Sequence, residues 1–168
     1  MRNKKVLFAV QAAMIAALYV VLTYITNLLG LASGTIQVRF SEALCILPVF
    51  TPAAIPGLFI GCLISNLITG GIIWDIIFGS IATLIGAVFT YKLRGSSKWL
   101  APLPPIVANT VIVPFVLYYG YGVNLPIPLM MLTVGAGEVI SCGIFGMIVL
   151  TALSKVKGSV FGKASYSK

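Results

Sequence analysis

Long apolar blocks separated by short hydrophilic gaps fill most of the chain. The first block runs from Val6 to about Leu31. It exceeds the roughly 7–15 apolar residues of a signal peptide and suits the roughly 20 of a membrane-spanning helix. An uncleaved first helix is expected from about Val6 to Leu29, followed by a polar loop from Gly30 to Gln37. The next block, Ser41 to Thr69, holds 29 residues, long for one crossing and short for two. Later blocks predict helices from about Trp74 to Tyr91 and from about Leu100 to Tyr119, the latter kinked at Pro114. The last helix opens at Asn124-Leu-Pro-Ile-Pro128 and runs to about Leu153. Tyr118-Tyr-Gly-Tyr121 reads as an interfacial aromatic belt. No inverted repeat of the kind found in many secondary transporters is visible.

Basic residues settle how often the Ser41–Thr69 block crosses. Arg2, Lys4 and Lys5 precede the first helix; Lys92, Arg94 and Lys98 form the middle gap; Lys155, Lys157, Lys163 and Lys168 follow the last. Placing all of these on the cytoplasmic side, as the positive-inside rule requires, needs two crossings. The block then turns at Thr51-Pro-Ala-Ala-Ile-Pro56. A short helix from Ser41 to Phe50 precedes a second from Ala53 to Ile68, with Gly57 and Gly61 as a packing face. The prediction is an all-α integral membrane protein of six transmembrane helices with both termini cytoplasmic. Residues 1–154 form one domain and 155–168 a loose basic tail. Composition agrees: of 168 residues, 60% are hydrophobic and 8% charged, and mean hydropathy is +1.10. A soluble domain carries about 25% charged residues. The net charge of +8 therefore reads as orientation signals and contacts to anionic lipid, with no nucleic-acid partner.

Only Arg39, Glu42, Asp75 and Glu138 carry charge outside the basic clusters. Arg39 and Glu42, three apart, can pair on one helix face or serve a ligand. The same stretch is interrupted by Pro48, Pro52 and Pro56. Irregular backbone at membrane depth survives only when buried in protein or lining a cavity, so a polar site wrapped by helices is expected here. Asp75, after Trp74, reads as a helix N-cap or a site residue. Glu138 stands about 18 Å beyond Pro126 at helical rise, near the bilayer midplane, where an ionisable residue implies function. Asn109 lies 14 residues before Val123 and Glu138 lies 15 after it, so an antiparallel hairpin brings them to one depth. Asn66 is a candidate to join from another side, and Phe78, Phe115 and Tyr118 either face the same space or, as each read singly suggests, serve packing or the aromatic belt. A ligand rich in N–H donors, or a cation, suits this acid-rich set better than an anion. In the first helix, Ala12 with Ala16 and Ala13 with Ala17 form adjoining small-residue faces, for internal packing or for docking a separate membrane protein.

Enzyme chemistry is not indicated. There is no histidine, and Gly158-Ser-Val-Phe-Gly-Lys-Ala164 fails the P-loop spacing and lacks its Ser/Thr. The three cysteines sit in apolar runs without metal-ligand spacing and read as reduced core residues. No catalytic residue, metal or cofactor is expected.

Three segments carry a resemblance: Ile36-Gln-Val-Arg-Phe-Ser-Glu-Ala-Leu44, Leu47-Pro-Val-Phe-Thr-Pro-Ala-Ala-Ile-Pro-Gly57 and Asp75-Ile-Ile-Phe-Gly-Ser-Ile-Ala-Thr-Leu84. They resemble the QueT family of queuosine-precursor transporters, substrate-binding (S) components of energy-coupling factor (ECF) transporters, over about Val6 to Leu153. The resemblance implies an S-component-like bundle in a bacterial plasma membrane. It implies a pocket open to the outside and capped by the loop after the first helix. Its ligand would be a 7-deazaguanine such as queuine or its aminomethyl precursor. Asn66, Asn109, Glu138, Arg39, Glu42, Asp75 and Trp74 supply suitable donors, acceptors and a stacking face. The alanines at 12, 13, 16 and 17 would dock on a transmembrane coupling protein driven by two ATPase subunits, and the S component would topple in the membrane. Two other classes compete: a proton-coupled secondary carrier for a small heterocycle with Glu138 as relay, and a membrane scaffold that does not transport.

Overall fold

A computed structural model describes residues 3–31 and 36–160. Arg2, Lys163 and Lys168 of the basic clusters, the centre of the predicted pocket-capping loop and the end of the predicted tail lie outside the described residues.

Helix α1 (Lys4–Leu28) starts where the Asn3 side chain accepts a hydrogen bond from the Lys5 amide at 3.1 Å. An extended segment leads from residue 36 to Arg39. There a ten-residue 3-10 helix, η1, begins and runs from Phe40 to Val49. Pro48 lies inside it and Pro52 follows. A proline lacks the N–H that a regular α-helical ladder needs. Thr51 closes the turn by donating to the Gln11 side chain at 3.0 Å. Helix α2 (Ala54–Ile68) then returns against α1.

That pairing is close because two glycines allow it. A Cβ on Gly57 would stand 2.8 Å from the Ala12 carbonyl oxygen, and one on Gly61 would stand 2.8 Å from Tyr19 Cβ. Without side chains at these positions the two backbones approach directly. A turn at Gly70, whose φ of +77° suits glycine, leads to α3 (Ile73–Lys92). Helix α4 (Leu103–Phe115) packs on α3, with Gly86 against Pro105. Just past Pro114 it widens into a π-helical turn, Val116–Gly120. The last helix is one rod in three parts: α5 (Ile127–Glu138), a π-helical stretch Val139–Phe145, and α6 (Gly146–Val160). Its end passes the predicted Leu153, so the start of the predicted loose tail is helical.

η1 is central. Every residue from Ser41 to Pro48 is buried, and η1 packs against α1, α3, α6 and the π-helical stretch of the rod. Leu44, Cys45, Ile46 and Leu47 meet Tyr19, Leu58, Cys62, Cys142 and Leu150 there. Ten residues at the 3-10 rise span about 20 Å, less than a bilayer core of about 30 Å. Among the described residues four segments are long and apolar enough to cross a membrane: Lys4–Leu28, Ile73–Gly95, Lys98–Gly120 and Ile127–Val156. η1 and α2 are the shorter apolar helices. Among the described residues there is no strand. The outer faces of the long helices expose Val10, Met14, Leu18, Ile77, Phe89, Val107 and Leu132, as lipid contact requires.

Candidate functional site

A polar cavity of about 390 Å³ opens at one end of the bundle. Its walls come from the end of α1 (Thr23, Asn27), the end of α2 (Asn66, Thr69), the start of α3 (Asp75), the end of α4 (Val113, Leu117) and the turn before α5 (Tyr121, Val123). Gln37 and Arg39 close it from the segment before η1. Below lies a much smaller space, about 20 Å³, which shares Gln37, Arg39, Asp75 and Val113 with the cavity. It adds Glu42, Asn109 and Glu138. Six of the seven residues expected from the sequence thus converge on one connected polar region.

Each is held by local geometry. Glu138 ends α5 and accepts a hydrogen bond from the Asn109 amide at 3.0 Å. Glu42 lies in the first turn of η1 and accepts from the Tyr19 hydroxyl at 2.6 Å and from the Cys45 thiol at 2.9 Å. Those two donors occupy the oxygens that the sequence spacing offers to Arg39. Among the described residues no salt bridge forms between Arg39 and Glu42, so the reading of a structural ion pair gives way to two neutral donors from η1 and α1. Arg39 instead precedes η1, with its backbone amide donating to Ser141 at 3.1 Å. Its segment is pressed onto α5, and a Cβ on Gly137 would run into the Gln37 carbonyl. Glycine at 137 is therefore what lets Gln37 and Arg39 lie over Glu138.

Asp75 does not cap α3; Ile72 precedes that helix, with no side-chain cap. Asp75 is buried in the first turn and accepts from the Tyr121 hydroxyl at 3.1 Å. Burial, then the facing Asp75 carboxylate, raise the Tyr121 pKa above the ordinary phenol value, so the hydroxyl stays a donor. The Asn66 amide donates to the Asp75 carbonyl at 3.3 Å. A Cβ on Gly79 would stand 3.2 Å from the Asn66 amide nitrogen and 3.3 Å from Asp75 Oδ1, so glycine leaves that space open.

Trp74 departs from the expectation. It is 55% exposed, stacks on Phe78 with centroids 5.8 Å apart, and lines a separate apolar groove with Phe115 and Tyr119. One residue before Asp75, it points about 100° away around the helix, onto the outer face. Phe78 and Phe115 go with it, and Tyr118 is exposed. No aromatic from this set lines the polar cavity; Tyr121 does. Sequence reading named none of Tyr19, Gln37, Ser141 and Tyr121 as site residues, and it placed Tyr121 in the aromatic belt. Only Gln37, in the quoted motif beside Arg39, carried a local signal.

The alanine faces separate clearly. Ala16 is 8% exposed and Ala12 half-buried, both against the α2 glycines, whereas Ala13 and Ala17 face outward.

No solved structure matches this chain. The Queuosine precursor transporter QueT of Lactococcus lactis subsp. cremoris (strain MG1363) is 38% identical over 86 residues, which span 51% of this chain and 50% of that relative. The match thus covers only about half the length of the curated relative. The sequence profile of the family described as QueT transporter matches residues 9–155. That span holds every residue lining the cavity, and on it the chain belongs to the QueT transporter family.

Proposed function

We propose that this protein is the substrate-binding membrane component of an importer, taking a 7-deazaguanine queuosine precursor from outside a bacterial plasma membrane. The observation that carries the reading is the cavity of about 390 Å³ beside the small space that the Glu138–Asn109 pair lines, the two sharing Gln37, Arg39, Asp75 and Val113. A flat base with adjacent N–H donors pairs with a carboxylate. Asn109, Asn66 and Arg39 serve its carbonyl and ring nitrogens. The matched relative's name supports the same substrate class.

The orientation follows from charge. Lys4, Lys5, Lys92, Arg94, Lys98 and Lys155 lie at the helix ends opposite those that line the cavity. The positive-inside rule then turns the cavity outward and puts both termini in the cytoplasm, with six crossings including the short η1 and α2. The outward Ala13–Ala17 face of α1 is the docking surface for an ECF coupling protein driven by separate ATPase subunits. This chain itself is not an enzyme.

The test is calorimetric titration of purified protein with queuine. Glu138→Gln is expected to weaken binding at least tenfold, about 1.4 kcal/mol. Gln presents one acceptor and one donor, and the donor would face a ligand N–H. Unchanged affinity would remove Glu138 as a ligand-reading residue and move the bet to Glu42 and Asp75. If binding survived in that variant while transport failed, the proton-relay reading would be preferred.

A further inference from the structure

We propose that Glu42, Cys45 and Cys142 form a site for a thiophilic divalent cation of the zinc and cadmium class, beneath the polar cavity. All three residues are buried, and one donor atom from each lies within 4.8 Å of the other two. Cys45 Sγ is 2.9 Å from Glu42 Oε2. Cys142 Sγ is 3.2 Å from the Glu42 carbonyl oxygen and 3.5 Å from Glu138 Oε2. Around tetrahedral zinc, sulfurs at about 2.3 Å stand about 3.8 Å apart, and sulfur and oxygen about 3.5 Å apart. The donors, all within 4.8 Å of one another, need shifts of about an ångström or less to meet those distances.

Backbone geometry produces the arrangement. A 3-10 helix eclipses residues three apart, which stacks Glu42 with Cys45. In the last rod Glu138 and Cys142, four apart, share a side. The two elements therefore present facing carboxylate–thiol pairs. Each carboxylate is also divided. Glu42 gives one oxygen to Tyr19 and the other to Cys45; Glu138 gives one to Asn109 and the other to Cys142. Glu42, unlike Glu138, is assigned no ligand N–H in the proposed reading, so its thiol-facing oxygen is available to the cation.

Charge and access fit. Two thiolates and the Glu42 carboxylate carry three negative charges against two on the cation. Arg39, which lines the small space with Glu42, offsets part of that negative charge. Binding breaks two S–H bonds, forms two metal–sulfur bonds and releases two protons, with no change of oxidation state. Of the three ligands, Glu42 lines the small space that shares its walls with the cavity, the nearest approach from that side. The cation's fourth position faces Glu138. The site would pin η1 to the last rod. The spacing rules that find zinc motifs miss it because Glu42 and Cys142 lie 100 residues apart.

The experiment is cadmium titration of purified, chelator-stripped full-length protein, followed by thiolate-to-cadmium charge-transfer absorption. Wild type is expected to develop the band to one cadmium per chain, with zinc competing. Cys45→Ser and Cys142→Ser should lose it, and Cys62→Ser should keep it. No band in the wild type, or an undiminished band in Cys45→Ser/Cys142→Ser, would overturn the site. Should the serine variants fail to fold, the wild-type chain still decides. Zinc must slow alkylation of Cys45 and Cys142 by a small neutral reagent that modifies both in the zinc-free chain, read by mass spectrometry, while leaving Cys62 unchanged; equal non-zero rates with and without zinc reject the proposal.

Discussion

At the scale of single residues, buried polar groups are paired across elements, and each pairing can be removed alone. The Tyr19 hydroxyl is 2.6 Å from Glu42 inside the bundle. Tyr19→Phe keeps the ring and strips the donor, leaving a buried carboxylate oxygen without its partner. The expected cost is about 1–3 kcal/mol, read as a lower melting temperature in detergent. Gly137 gives a second test. Gly137→Ala would push Gln37 off α5 and pull the Arg39 amide from Ser141. Queuine affinity is expected to fall at least tenfold, about 1.4 kcal/mol, while the bundle still melts cooperatively. Titration and a thermal melt on the same sample check both halves, and wild-type affinity would show that the segment over Glu138 does not shape the ligand site.

Among elements, α1 has two small-residue faces with different fates. The inner one meets Gly57 and Gly61 at van der Waals limits. Gly61→Ala puts a Cβ 2.8 Å from Tyr19 Cβ and 3.1 Å from Ala16 Cα, with backbone rather than a flexible tip in the way. Overpacking of this kind costs about 1–3 kcal/mol, visible as a lower melting temperature. The outer face behaves in the opposite way. Ala13→Trp or Ala17→Trp adds bulk at exposed positions, so folding and ligand binding should persist. Co-purification with the coupling protein should be lost. Normal co-purification of both variants would show that this face does not dock a partner.

For the molecule as a whole, the proposed membrane orientation rests on where the basic ends lie. The loop between α3 and α4 carries Lys92, Arg94 and Lys98, with Trp99 75% exposed beside them. The three cysteines are buried, so a single Ser96→Cys can be labelled in their presence. A membrane-impermeant maleimide is expected to leave it unlabelled in intact cells and to label it once the membrane is opened. Labelling from outside would invert the molecule and close the cavity to external ligand.

Membrane class, helix positions and the depth match of Asn109 with Glu138 were legible along the chain. Apolar length and backbone hydrogen bonding decide where a helix runs in a bilayer, and both are local quantities. Residue counting puts the two polar groups at one level, and they bond at 3.0 Å. Rotation about each helix axis is not local. It is set by packing against segments far away in the chain. The tertiary structure alone therefore sends Trp74 outward from beside a buried Asp75, turns Ala16 inward and Ala13 outward, and hands Glu42 to Tyr19 rather than Arg39. It also buries η1 at the centre, where proline and a tight helix bring Glu42 and Cys45 against Cys142. No pattern within either stretch reports a meeting across 100 residues.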